Sequence, residues 1–345
     1  MARCLRDILP SSGLSKEQRE EVAEIVHDVV RWKKLYEYIS NNRGSEHSPE
    51  LYVKLALEGA QAGASEYPFE FRYSCSSYVA GILKEYGEWA EFLNEKPPTA
   101  LCINFNKSTP EQVMDMLHEE HIFSERSILD TAILTTSVSK YSQVLQKRYA
   151  HVQDENSQLI AHLATSLGES IFDFCAGNGG KSLAMASVGK NTKQLYAFDT
   201  NAGKRAILAQ RCKEYDATVQ VEKPHPKRLF DVVLVDAPCT GLGAGRRNPE
   251  AKYIEGPSDF PETQVSILQQ GAGNVRKGGF LLYAVCTITP DETFKVIQRF
   301  TKNADFSVTP LTSVIHKEFL QQTIQGAFTV LPRGDLFFIS LLHRE

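Results

Sequence analysis

Nowhere in these 345 residues does an apolar run approach the roughly 18 to 20 residues that cross a bilayer, so no membrane-spanning helix is expected. The opening MARCLRDILPSSGL lacks an apolar block before a small-residue cleavage site, and secretion is not expected either. The chain is read as cytoplasmic. Its seven cysteines (4, 75, 102, 175, 212, 239 and 286) include no C-x-x-C pair, which fits neither a disulfide framework nor a zinc site. No metal is expected, and a special cysteine here reads as a nucleophile. An excess of one charge is also missing. The formal charge of -4 divides into -5 over residues 1–150 and +1 over 151–345, so any polyanion would have to be held by local basic surface. There is no internal repeat. What remains is an ordinary globular composition, 42% hydrophobic and 23% charged, long enough for two domains or one large domain with an appendage.

Residues 1–95 read as helical. In LSKEQREEVAEIVHDVVRWKKLYEYI the apolar positions Val22, Ile25, Val26, Val29, Val30, Trp32 and Leu35 fall near one face at a 3.6 period. Consecutive prolines at 97 and 98 mark a boundary. Beyond them TALCINFNK predicts a strand, STPEQVMDMLHEEH a capped helix and SILDTAILTT a second strand, a small β-α-β insert over 96–150. From 151 to 345 short apolar runs alternate with helical segments: SIFDFCA, QLYAFD, ATVQVE, FDVVLVDAP, GGFLLYAVC and FFISLL. That rhythm predicts an α/β domain on a mainly parallel sheet, with ligands at the carboxyl ends of its strands.

The unusual residues fall at those ends. IFDFCAGNGGKSLAMA, residues 171–186, reads as strand, glycine turn and helix, where glycines allow close backbone approach and the helix offers a positive end. Gly177 to Gly180 is too short for G-x-x-x-x-G-K-[ST], which argues against a phosphate-binding loop and an ATPase. Asp199 ends the next strand, about 20 residues on, and either accepts ribose hydroxyls or caps the helix that starts near Asn201. Asp236 and Cys239 follow one strand and Cys286 follows another. Either thiol alone reads more readily as a small buried apolar residue than as a reactive one. Two thiols and a carboxylate on one rim are a rarer arrangement.

In these motifs the sequence resembles the Sun/RsmB family of RNA cytosine methyltransferases, which use S-adenosylmethionine to methylate carbon 5. The likeness runs from RDILPSSGLSKEQREEVAEIVHDVVRWKK, similar to the family's NusB-like RNA-binding region, through TALCINFNKSTPEQV, VQDENSQLIAHL and the glycine turn. It continues with DAPCTGLGAGRRNPEAKY, the Cys286 tip followed by TPDE, and LPRGDLFFISLL. The resemblance implies a Rossmann-like class I methyltransferase domain over 151–345, preceded by the NusB-like helices and the α+β insert. It implies Cys286 as nucleophile, Cys239 assisting release, and Asp236 on the cytosine N3 and amine with a second contact to the cofactor. Lys181 would project into the same pocket, unless it is an exposed lysine of a first helical turn. Cys175, Ala176, Gly177, Asn178, Gly179, Gly180 and Lys181 would cradle the cofactor's methionine and ribose, and Asp199 its ribose hydroxyls. Glu222, or the backbone of VEKPHPKRL, would reach the adenine. Arg246 and Arg247 would contact RNA phosphate or be solvated surface arginines, and Lys147, Arg148, Arg276 and Lys277 would add grip near the catalytic mouth. Asn178 replaces a usual proline, Val285 a common threonine and Thr293 a frequent asparagine. The expected substrate is ribosomal RNA, with transfer RNA as an alternative, and the expected state is a monomer. A reading of another class is a catalytically silent RNA-binding or assembly factor.

Overall fold

The structure, a computed structural model, describes residues 5, 7–223, 228–323, 325–331 and 333–345. It forms two compact units. One comprises Met1–Lys96 with Thr240–Ser258, and the other Pro97–Cys239 with Asp259–Glu345. The unit boundary near the consecutive prolines falls between Lys96 and Pro97. Residues 240–258, expected within the sheet domain, belong instead with the helices.

The first unit is helical. Ser15 and Gln18 form a reciprocal capping box that starts the helix Lys16–Arg31, satisfying two end groups at once. The single long helix suggested by the apolar period is in fact two. The backbone leaves helical geometry at Trp32 (φ -112°, ψ 15°) and resumes over Lys33–Asn42. This turn re-aims the second helix so that Leu35, Tyr36 and Ile39 pack with Leu55 of the helix Pro49–Leu57.

The second unit opens with a four-stranded sheet. Strands β1 (Thr99–Ile103), β2 (Ser124–Arg126), β3 (Ala132–Thr135) and β4 (Ala150–Val152) lie in the order β2-β3-β1-β4, and every pair is antiparallel. The insert is therefore no simple β-α-β unit: the helix Pro110–Glu119 leads into β2, and β2 and β3 then pair antiparallel.

The large sheet contains β5 (Ser170–Asp173), β6 (Gln194–Ala197), β7 (Val219–Val221), β8 (Phe230–Asp236), β9 (Val275–Val285), β10 (Phe306–Thr309), β11 (Leu320–Thr323), β12 (Gly326–Thr329) and β13 (Phe337–Arg344). Their order is β11-β12-β13-β9-β8-β5-β6-β7, with β10 on β13. The five strands β7, β6, β5, β8 and β9 are mutually parallel, as the sequence rhythm predicts. From β9 outward every pairing is antiparallel, so the sheet is mixed. The architecture is Rossmann-like. Chain order reverses at β5, with β6 and β7 on one side and β8 and β9 on the other, and this switch point is where such sheets bind ligands. Val232 and Leu234 of β8, Ile171 of β5 and Leu282 of β9 are fully buried beneath it. Among the described residues no helix is long and apolar enough to cross a membrane.

Candidate active site

Because β5, β6, β8 and β9 run parallel, their carboxyl ends share one rim. The chain leaving β5 is tied to its neighbours before it turns: Phe174 donates its amide to Leu234 at 2.9 Å, and Ala176 donates to Phe198 at 2.8 Å. The turn then needs left-handed backbone at Gly177 (φ +55°) and Gly179 (φ +87°), which glycine adopts without strain. A β-carbon on Gly179 would lie 2.2 Å from Leu208 Cδ1, so the helix Ala202–Glu214 packs directly on the turn. Arg211 of that helix donates to the Asn178 carbonyl at 2.7 Å. Gly179 caps the helix Gly180–Val188 with no side-chain hydrogen bond.

A cavity of about 910 Å³ opens above this rim, entirely within the second unit. Phe174, Phe198 and Phe337 supply apolar wall, and Cys175, Gly177, Asp199 and Lys204 line the glycine-turn side. Lys181, Asp236, Pro238, Cys239 and Cys286 line the opposite side. The helix cap at 201 is Asn201 itself, whose side chain accepts from Lys204. Asp199 is thereby left at the cavity wall, accepting the Gly177 amide at 3.1 Å and the Asn201 amide at 2.8 Å.

Lys181 is buried, not exposed. Its Nζ donates to Asp236 Oδ2 at 2.7 Å and lies over the Phe337 ring, 5.0 Å from its centre. Burial pulls the Lys181 pKa down, but the charge and hydrogen bond of Asp236 outweigh it and the net direction is up. The group is an ammonium ion at neutral pH. Behind this pair Asp173, almost wholly buried, accepts the Ser182 hydroxyl at 2.6 Å. Burial pushes its carboxyl up to about 7 despite that bond. Burial also raises the thiol of Cys175. Cys239 Sγ and Cys286 Sγ stand 3.3 Å apart, following the adjacent strands β8 and β9.

Several expectations are corrected. Ala176, Asn178, Gly179 and Gly180 shape the turn but do not line the cavity. Glu222 is not on the cavity wall either, and its carboxylate pairs with Arg228. Residues 224–227 of the suggested adenine loop lie outside the described residues. Arg246 is no surface arginine: it is 2% exposed, with its guanidinium 3.9 Å from the centre of the Phe92 ring and its carbonyl accepting from Arg31 at 3.0 Å. A side chain so enclosed does not reach a phosphate. Arg276 and Lys277 sit at the start of β9, roughly 25 Å or more from the Cys286 end at strand rise. Arg148 is committed to Glu214 at 2.8 Å. Sequence reasoning missed Phe337, Lys204 and Arg211. The helix expected to start near Asn201 carries the last two, and nothing in its sequence marked them out.

Residues 160–343, more than half of the chain, match the family model described as 16S rRNA methyltransferase RsmB/F. The chain belongs to the RsmB/F methyltransferase family. A relative, the probable ribosomal RNA small subunit methyltransferase B of Bacillus subtilis, is 31% identical over 269 residues, covering 72% of this chain. The same stretch spans 60% of that relative's length. Among solved structures, the crystal structure of PH0851 superposes with a TM-score of 0.76 at 21% identity, over 96% of this chain and 92% of that one. NSun6 from Pyrococcus horikoshii with SFG gives 0.65 at 14% identity, over 77% and 97%. At those identities the likeness is one of fold. The cofactor of the family is S-adenosylmethionine. The residues present fit it: an aromatic-walled cavity, a glycine turn with open space beside Gly177 and an Asp199 carboxylate at the wall.

Proposed function

We propose that this chain transfers a methyl group from S-adenosylmethionine to carbon 5 of cytosine in RNA, with Cys286 as the attacking nucleophile. One observation carries the reading: Cys239 and Cys286, 3.3 Å apart, line the same cavity as Gly177 and Asp199. Carbon 5 of cytosine is too electron-poor to react unaided. The Cys286 thiolate adds to carbon 6 and drives an electron pair towards carbon 5. The bound cofactor supplies an electrophilic methyl carbon for that pair. The carbon 5 proton then leaves to a base, and the carbon–sulfur bond breaks to restore the ring. Cys239, in contact with Cys286, assists this release. The fixed Lys181 ammonium holds one oxygen of Asp236, leaving the other to accept from the cytosine amine and, once the thiolate has added and N3 has taken a proton, from N3. Cys175, Gly177 and Asp199 hold the cofactor, and Asp236 reaches towards it.

The likeness to a probable ribosomal RNA small subunit methyltransferase B of Bacillus subtilis favours ribosomal RNA over transfer RNA. A base inside a duplex cannot reach these thiols, so the target is extruded or single-stranded. The helical unit serves RNA recognition, and Arg247 remains its candidate phosphate contact beside the buried Arg246. The test is a trapped adduct. With small-subunit ribosomal RNA and cofactor, Cys239→Ala should accumulate an RNA–protein species that survives denaturation, and Cys286→Ala should give none. A silent RNA-binding factor would trap nothing with either variant, and that result would overturn the reading.

A further inference from the structure

The two thiols are carried by separate loops, and one buried side chain reaches both of them. Gln264, in the helix Phe260–Ala272, is fully buried. Its Nε2 donates to the Pro238 carbonyl at 2.9 Å, one residue before Cys239. The same nitrogen donates to Glu292 Oε2 at 3.0 Å. Both partners are acceptors only, so the orientation of the amide is forced. Glu292 in turn holds the loop that follows Cys286: its Oε1 accepts the Thr289 hydroxyl at 2.8 Å, and its carbonyl accepts the Tyr283 hydroxyl of β9 at 2.8 Å. Gln264 has two N–H donors and spends one on each loop. The sheet ties the two segments up to the Ala237 amide, which donates to Ala284 at 3.0 Å, and Cys286 directly follows β9; beyond that point the path of each loop depends on what bridges them.

We propose that Gln264 is the positioning residue that sets the spacing of Cys239 and Cys286, and through it the efficiency with which the methylated base is released. The proposal rests on the covalent reading above for its catalytic consequence, while the spacing itself is tested without substrate. Diamide takes two hydrogen atoms from two thiols, becoming the hydrazine as one S–S bond forms, and closure is fast only for thiols held within reach. In the wild-type protein, diamide should join Cys239 to Cys286, read by peptide mass. Gln264→Met should slow that closure at least about tenfold, the scale on which misplacement by an ångström acts, measured well below a melting temperature that falls because the buried Pro238 carbonyl and Glu292 carboxylate lose the Gln264 donor. With RNA and cofactor it should accumulate adduct to a level between wild type and Cys239→Ala.

Should Gln264→Met fail to fold, Thr289→Val decides: it keeps the side-chain shape, removes only the hydroxyl that holds Glu292, and should slow closure in the same direction. Wild-type closure that does not occur, or closure and adduct levels unchanged in the variant that folds, would overturn the proposal. If closure slows but Cys239→Ala traps no RNA, the positioning role stands and the covalent function falls.

Discussion

Asp173 shows how one buried atom pair can tie stability to pH. Its carboxyl stands behind Lys181 and Asp236, and burial raises its pKa to about 7 from 3.8, against the hydrogen bond from Ser182 and with Asp236 adding to the rise. Between those values the folded protein keeps a proton that the unfolded chain has shed, so this group's contribution to stability is present below about pH 4 and is lost as pH rises through 7. Asp173→Asn cannot ionise, and its oxygen can still accept the Ser182 hydroxyl. The variant should therefore lose less stability than wild type between about pH 5 and pH 8, and melting curves across that range check it. Parallel curves for the two proteins would remove Asp173 as the cause. Residue identity at such a site is legible in sequence only where the strand tip gives it away. Cys286, Asp236 and Lys181 each follow an apolar run or a glycine turn, whereas the burial of Arg246 depends on Phe92 and Arg31, more than 150 and 210 residues earlier in the chain.

At the scale of elements, the glycine turn separates two functions that one substitution type can distinguish. Gly179 carries φ +87°, and a methyl group there would meet Leu208, which is itself fully buried against Cys212 and Tyr215. Backbone strain of about 1–2 kcal/mol adds to repacking of a core leucine, so Gly179→Ala should cost about 2–4 kcal/mol of stability. Gly177 has φ +55° and open space around the added carbon. Gly177→Ala should cost only the backbone strain but reach into the cavity, weakening S-adenosylmethionine binding more than it lowers the melting temperature. Calorimetric titration and thermal unfolding of both variants read the contrast, and equal losses of affinity and stability in the two would defeat it. β5, β8 and β9 were legible as short apolar runs of mostly buried residues, whereas β7, VQV with no buried residue, showed only alternation. The outer strands β10, β11 and β12 were not legible. FSVT, LQQT and GAFT are four-residue stretches with polar positions, and they become strands only by pairing in series with β13.

For the whole molecule, the decisive feature is that the chain leaves the sheet unit immediately after Cys239 and re-enters it at Asp259. The residues between have no apolar period, which is why the sequence alone keeps them with the strands on either side. What binds them to the helices is polar. Lys252 is fully buried, with its Nζ donating to the Arg31 carbonyl at 2.9 Å, the Tyr73 carbonyl at 3.2 Å and Asn94 Oδ1. Burial pushes its pKa down to about 7, yet three acceptors converge on a nitrogen that offers three N–H donors only as ammonium. Lys252→Met keeps the length of the side chain; the Arg31 carbonyl retains the Tyr253 hydroxyl at 3.2 Å and the Tyr73 carbonyl retains Asn94 Nδ2 at 3.1 Å, while Asn94 Oδ1 loses its lysine donor. The expected cost is about 1–3 kcal/mol, that of one buried polar group left unsatisfied. Hydrogen exchange should then accelerate across 240–258 and around Arg31, Tyr73 and Asn94, while β5 and β8 keep their wild-type protection, because locally cooperative units open separately. Acceleration of equal size in β5 and β8 would mean instead that both units unfold as one block, with Lys252 fastening the whole chain.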